Sequence, residues 1–168
     1  GIISMRDREG RSFVATTLAN YLSKLGNRTA LLIPESTDKL PELTPEIDKH
    51  TFNEDVDLLI AQSNKDLLPN ADEYDYVVTE YPALNTHQTP YRVLKDITAS
   101  ILVVRASRSW SIADKTELKS VRKIMKSDPL VFLNGVKLNF LDELVGEVPR
   151  KRNKIRSFIR KMLYLEFK

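Results

Sequence analysis

Short apolar runs recur along this chain, and the stretches between them carry helical periodicity. Ile2-Ile3-Ser4-Met5 reads as a strand, and Phe13, Ala15, Leu18, Ala19, Leu22 and Leu25 then repeat at the spacing of one helix face. Gly26-Asn27 suits the end of that helix, and residues 28–33, Arg-Thr-Ala-Leu-Leu-Ile, read as a strand covered on both faces. Further runs of the same kind are Asp57-Leu58-Leu59-Ile60-Ala61, Tyr76-Val77-Val78-Thr79, Ser100-Ile101-Leu102-Val103-Val104 and Leu130-Val131-Phe132-Leu133. Helical patterns fall at about 87–97, through Tyr91, Leu94 and Ile97, and at 111–126, through Ile112, Leu118, Val121, Ile124 and Met125. Ser109 or Ser111 is placed to cap the second of these, and Trp110 beside it is expected to pack. Pro34, Pro41 and Pro45 interrupt residues 34–55, which are expected to form a loop with a short helix. Alternating strands and helices predict an α/β fold, a mostly parallel sheet with helices on both faces.

The chemistry concentrates at Arg8-Glu9-Gly10-Arg11-Ser12, between the first strand and the first helix, which is the order of a nucleotide site. Such a loop closes backbone N–H groups around phosphates, extends a Lys to the terminal ones and holds Mg²⁺ on a Ser or Thr hydroxyl. Here Arg11 stands in the lysine position, and its wide planar fork does not fit the space of a compact ammonium. Gly10, Arg11 and Ser12 are therefore the expected remnant of a cofactor loop: no catalytic residue, no metal ligand, no bound cofactor, and at most weak nucleotide or anion binding at a helix N-terminus. A plain strand-to-helix turn is the competing reading.

Charge separates the end of the chain from the rest. Residues 147–168 hold eight basic residues, from Arg150 to Lys168, against Glu147 and Glu166, a net +6 in a chain of net +3. Residues 1–146 thus form the expected α/β domain, slightly acidic, and 147–168 a basic tail. Ile155, Phe158, Ile159, Met162 and Leu163 fall there at helical spacing, so the tail is expected to be an amphipathic helix. It can pack on the domain, lie on an anionic membrane surface or dock on another subunit, and the sequence leaves all three open. Confinement of the charge to one end, without interleaved aromatics, argues against nucleic acid. With no cysteine, disulfides and thiolate metal sites are excluded, and His50 and His87 stand alone at no ligand spacing. No apolar stretch approaches the roughly eighteen residues of a membrane span, so the chain is expected to be soluble. The strand-like start at position 2 is expected to mark a piece of a longer protein, with Gly1 a cloning remnant.

Several segments, in order, resemble the cytoplasmic ATPase domain of bacterial tyrosine autokinases that control capsular and exopolysaccharide export. The family loop, roughly P-G-E-G-K-S followed by F-x-A-x-N-L-A, is matched by Asp7-Arg8-Glu9-Gly10-Arg11-Ser12 and Phe13-Val14-Ala15-Thr16-Thr17-Leu18-Ala19. The family's L-L-I-D-x-D is matched by Leu31-Leu32-Ile33-Pro34-Glu35-Ser36, with both aspartates replaced and Glu35 one position out of register. Its Y-D-Y-V-I-I-D-T-P-P is matched by Tyr74-Asp75-Tyr76-Val77-Val78-Thr79-Glu80-Tyr81-Pro82-Ala83, where Glu80 keeps the carboxylate one methylene longer. Ile101-Leu102-Val103-Val104-Arg105-Ala106 and Val131-Phe132-Leu133-Asn134-Gly135-Val136 resemble its L-V-V-R-A and V-L-N-G-V segments. The tyrosine-rich tail of active members is absent, leaving Tyr164.

The resemblance implies a P-loop NTPase-like fold and a degenerate, pseudokinase-like domain in polysaccharide biosynthesis, on the cytoplasmic side of a bacterial inner membrane. It implies partners among the subunits of an export complex, or further copies of the chain, and action by binding or regulation. Two alternatives stay open: an active but atypical ATPase or tyrosine kinase using Arg11, Ser12 and Glu80, and a partition-type ATPase relative that binds membrane or DNA.

Overall fold

The computed structural model describes residues 1–37, 39–85 and 88–136, and Gly1–Gly135 form one compact unit. The expected boundary at 146, the basic tail and His87 lie outside the described residues. Strand β1 (Ile2–Ser4) leads to helix α1 (Arg11–Lys24), then β2 (Thr29–Pro34) and β3 (Asp48–Phe52). Short helices α2 (Asp57–Ile60) and α3 (Asn64–Leu67) precede β4 (Tyr76–Thr79); α4 (Tyr91–Leu94), β5 (Ile101–Arg105), α5 (Ile112–Ile124) and β6 (Leu130–Asn134) follow.

Among the described residues all strand pairings are parallel. β2 lies between β3 and β4, and β5 between β1 and β6. A single parallel bridge from Ile2 to Glu80 joins the two groups, so the strand order is β3-β2-β4-β1-β5-β6. This places the end of β4 beside β1, and the hydrogen bond from Tyr81 N–H to Ile2 C=O (3.0 Å) carries the alignment into the segment beyond it.

The alternation of side chains along each strand divides the core in two. Ile2, Leu31, Ile33, Val78 and Val103 pack with Val14, Ala15 and Ala19 of α1. Ile3, Leu32, Leu102 and Val104 pack on the opposite face with Leu58, Val93, Leu94 and Val121. Helices therefore cover both faces, as the pattern of runs predicts. Gly26, at φ 87°, ends α1 by sending its N–H to Ser23 C=O (2.8 Å), with Asn27 N–H reaching Leu22 C=O (3.3 Å). Ser111 caps α5: its hydroxyl accepts from Asp114 N–H (3.1 Å), and Asp114 Oδ2 accepts from Ser111 N–H (2.8 Å).

Three segments differ from the sequence expectation. The run at 57–61 holds helix α2 (Asp57–Ile60) instead of a strand, because Asn53 Oδ1 accepts from the N–H groups of Asp55 and Val56 while Asp57 Oδ2 accepts from Asn53 N–H, closing a helical turn. Only Leu58 and Ala61 of that run are buried, a spacing of three that a strand would not produce. Within 34–55 lies strand β3, whose Asp48, Lys49 and Thr51 are exposed and whose Phe52 alone is buried, so no apolar run marked it. The helical pattern at 87–97 shrinks to the single turn of α4.

Candidate functional site

The loop between β1 and α1 is braced by its own Glu9 and by side chains from the ends of β5 and β6. Glu9 is buried, and its Oε2 accepts from the backbone N–H groups of Met5 (3.1 Å) and Arg6 (3.3 Å). Two N–H groups where the chain leaves β1 are thus engaged by a carboxylate of the loop itself. From the ends of β5 and β6, Arg105 Nη1 donates to Arg8 C=O (3.4 Å) and Asn134 Nδ2 to Glu9 C=O (2.8 Å). Arg8 takes the left-handed conformation at φ 61°, and Gly10 sits at φ 101°.

Gly10 serves as the N-cap of α1 and provides no side-chain cap. At the next position the Arg11 side chain folds inward: Nη2 lies 3.1 Å from Asp7 Oδ1 and Nε 3.6 Å from Glu80 Oε1. Ser12 Oγ donates to the same Glu80 oxygen at 2.9 Å. Burial pushes the Glu80 carboxyl above its ordinary range, against the opposing pull of the Ser12 hydroxyl and the Arg11 guanidinium. Gly10, Arg11 and Ser12 are brought together with Glu80, and the hydroxyl that would hold Mg²⁺ is spent on the carboxylate. The groups do not fit a magnesium-triphosphate: a guanidinium fills the place of the ammonium, and it and the Ser12 hydroxyl both close on Glu80 Oε1. Glu35 stands apart, exposed, accepting from Asn53 Nδ2 (3.3 Å).

A second ionic cluster braces the loop from α5. Asp114 is fully buried and meets Arg6 Nε (3.3 Å), Arg108 Nη1 (3.3 Å), Asn85 Nδ2 and the capping Ser111. Burial alone would raise its carboxyl, but the Ser111 donors and the two guanidiniums overcome that and hold it at about 2. Arg108 also bridges to the loop, with Nε 2.7 Å from Glu9 Oε1 in an ionic contact not aligned as a hydrogen bond, and it lies over the Trp110 ring at 5.8 Å. Sequence reasoning missed the parts of Glu9, Asn134, Arg108 and Asp114. Only Asp114 left a readable signal, the Ser111-x-x-Asp114 capping spacing.

His50 Nε2 lies 3.2 Å from the Tyr74 hydroxyl, and among the described residues no group of His, Asp and Glu is arranged to hold a metal ion. No helix among them is long and apolar enough to cross a membrane. A cavity of about 310 Å³ opens between the start of α2 and residues 88–92, and no residue of the loop lines it.

Strand order, loop and flanking helices define a P-loop NTPase-like fold, and comparison with solved structures agrees. The chain is similar to the kinase domain of the Escherichia coli tyrosine kinase ETK (16% identity, TM-score 0.61), with 81% of this chain covering 66% of that one. It is similar to the VpsO kinase domain (16% identity, TM-score 0.61), with 81% of this chain covering 83% of that one. A putative plasmid partition protein from Borrelia burgdorferi bound to AMPPNP shares the fold at 15% identity and a TM-score of 0.55, over 89% of this chain and 80% of that one. At these identities the likeness is one of fold. No family profile matches the sequence, and no curated protein matches it.

Proposed function

We propose that this chain is a catalytically degenerate, kinase-like domain of an exopolysaccharide or capsular polysaccharide biosynthesis protein, acting by binding or regulation and not by phosphoryl transfer. One observation carries the proposal: the Arg11 guanidinium and the Ser12 hydroxyl both close on Glu80 Oε1, so the side chains at the lysine and magnesium-ligand positions of the loop are engaged by a carboxylate of the chain itself. The ordered sequence segments and the kinase-domain fold neighbours support the kinase-like assignment. Action at the cytoplasmic face of a bacterial inner membrane follows from the same resemblance. Its partners would be export-complex subunits or further copies of the chain, and the basic 147–168 segment would meet anionic lipid.

Calorimetric titration of the protein with ATP and Mg²⁺, followed by an assay for released phosphate, tests this. The expected result is no saturable, Mg²⁺-dependent binding in the micromolar range and no turnover. Micromolar affinity with hydrolysis would overturn the proposal in favour of an active, atypical ATPase or kinase.

A further inference from the structure

The cavity between α2 and residues 88–92 lies away from the phosphate loop but at the same end of the sheet. One wall follows the C-terminus of β3 and the other lies beyond β4, the end of a parallel sheet where α/β folds receive ligands. At about 310 Å³ it reaches the lower bound of a small-molecule site.

Its lining has two parts. Leu58, Leu59, Pro90 and Tyr91 supply apolar surface, and Tyr91 keeps 42% of its area exposed although its hydroxyl is tied to Glu117 Oε1 at 2.8 Å. The ring is thus held at its tip and remains partly exposed where it lines the cavity. Around it stand Asp55, Gln88 and Arg92, whose side-chain polar groups have no hydrogen-bond partner among the described residues, and Glu54, which uses only Oε2, on Ser36. A carboxylate, an amide and a guanidinium are the planar groups able to bind two adjacent hydroxyls at once. An exposed aromatic face beside apolar side chains suits the C–H face of a saturated ring. A ligand using both parts must be rich in hydroxyls on its edge and apolar on its face.

We propose that this cavity binds a neutral pyranose, a single sugar unit. Two carboxylates against one guanidinium leave the rim net negative, which discriminates against uronate and sugar phosphate. The inference deepens the proposed role in polysaccharide biosynthesis by giving the domain a saccharide to recognise. It is tested independently of the phosphate loop: ATP hydrolysis would overturn the earlier reading and leave this one standing, and absence of sugar binding would do the reverse.

The experiment is a titration of the ¹⁵N-labelled chain, followed by NMR, with glucose, galactose and N-acetylglucosamine, and with sodium glucuronate as the anionic comparator. Expected are shifts in 54–59 and 88–92 that saturate at about millimolar neutral sugar and are weaker with glucuronate. Tyr91→Ala and Asp55→Ala should each weaken binding by about fivefold or more, while Tyr91→Phe, which keeps the ring and loses only its tie to Glu117, should weaken it less than Tyr91→Ala. Asp55 is exposed and its carboxylate unpaired among the described residues, so Asp55→Ala tests the cavity even where Tyr91→Ala fails to fold. Shifts absent for every sugar, shifts elsewhere, or Asp55→Ala binding unchanged would overturn the proposal.

Discussion

A β-carbon placed on Gly10 would fall 2.1 Å from Asn134 Nδ2, the atom that donates to the Glu9 carbonyl. The end of β6 therefore fixes the loop only because residue 10 has no side chain, and Gly10 also holds φ 101°. Gly10→Ala is expected to expel the Asn134 side chain, break that bond and strain the backbone, at about 1–3 kcal/mol. Asn134→Ala loses the bond alone, at about 1 kcal/mol. Urea denaturation of both variants checks this ordering, and equal costs would show that the close approach does not matter.

Two buried carboxyls give stability opposite pH dependences. Asp114 titrates near 2 in the folded chain against an ordinary 3.8, so its contribution is complete above 3.8 and is lost as pH falls through about 2. That contribution is about 2 kcal/mol at neutral pH. Glu80 is shifted upward from 4.5, so its stabilising share is complete below 4.5 and is lost as pH rises through its folded value. Asp114→Asn should flatten the acid limb of a stability-pH curve, and Glu80→Gln should flatten the decline above pH 4.5. Chemical denaturation at pH 2 to 8 measures both. Unchanged limbs in the variants would remove these carboxyls as their source.

The turn of α2 can be checked by two neighbouring positions that a strand would treat alike. Leu58 is 6% exposed and Ile60 68% exposed, although both would face one side of a strand. Leu58→Ala should cost about 2–4 kcal/mol and Ile60→Lys less than about 0.5 kcal/mol. Similar losses at both positions in thermal melts would restore the strand.

These segments show where the sequence was readable. Leu31, Leu32 and Ile33 lie in a strand buried on both faces, and three adjacent apolar residues suffice to mark it. Leu58-Leu59-Ile60 presents the same local pattern, but the Asn53 and Asp57 side chains four residues apart close a turn that hydrophobicity does not encode. β3 escaped because an exposed edge strand needs only Phe52 to anchor it. At the site, loss of the lysine could be read directly. What fills the space could not, because the Arg11–Glu80 contact spans 69 positions of chain and Asn134 reaches Glu9 across 125. Residues far apart in sequence leave no spacing to read.

Arg11 separates the structural account of the loop from the catalytic one. In the structure its guanidinium offsets part of the burial cost of Glu80 and ties it to Asp7, so Arg11→Ala should leave Glu80 buried with Ser12 as its nearest donor. Truncating one partner of a buried pair costs more than the pair contributes, because the remaining charge stays desolvated. A loss of about 2 kcal/mol is expected, together with a further rise in the Glu80 pKa, since the cation that lowers it is gone. The double variant Arg11→Ala, Glu80→Gln should recover much of that loss, because the uncompensated charge is removed. Under an active-site role the same substitution would instead leave stability near the parent value and abolish Mg²⁺-dependent hydrolysis. Denaturation curves and phosphate release measured on one set of proteins decide between them, and retained stability with lost turnover would end the structural account.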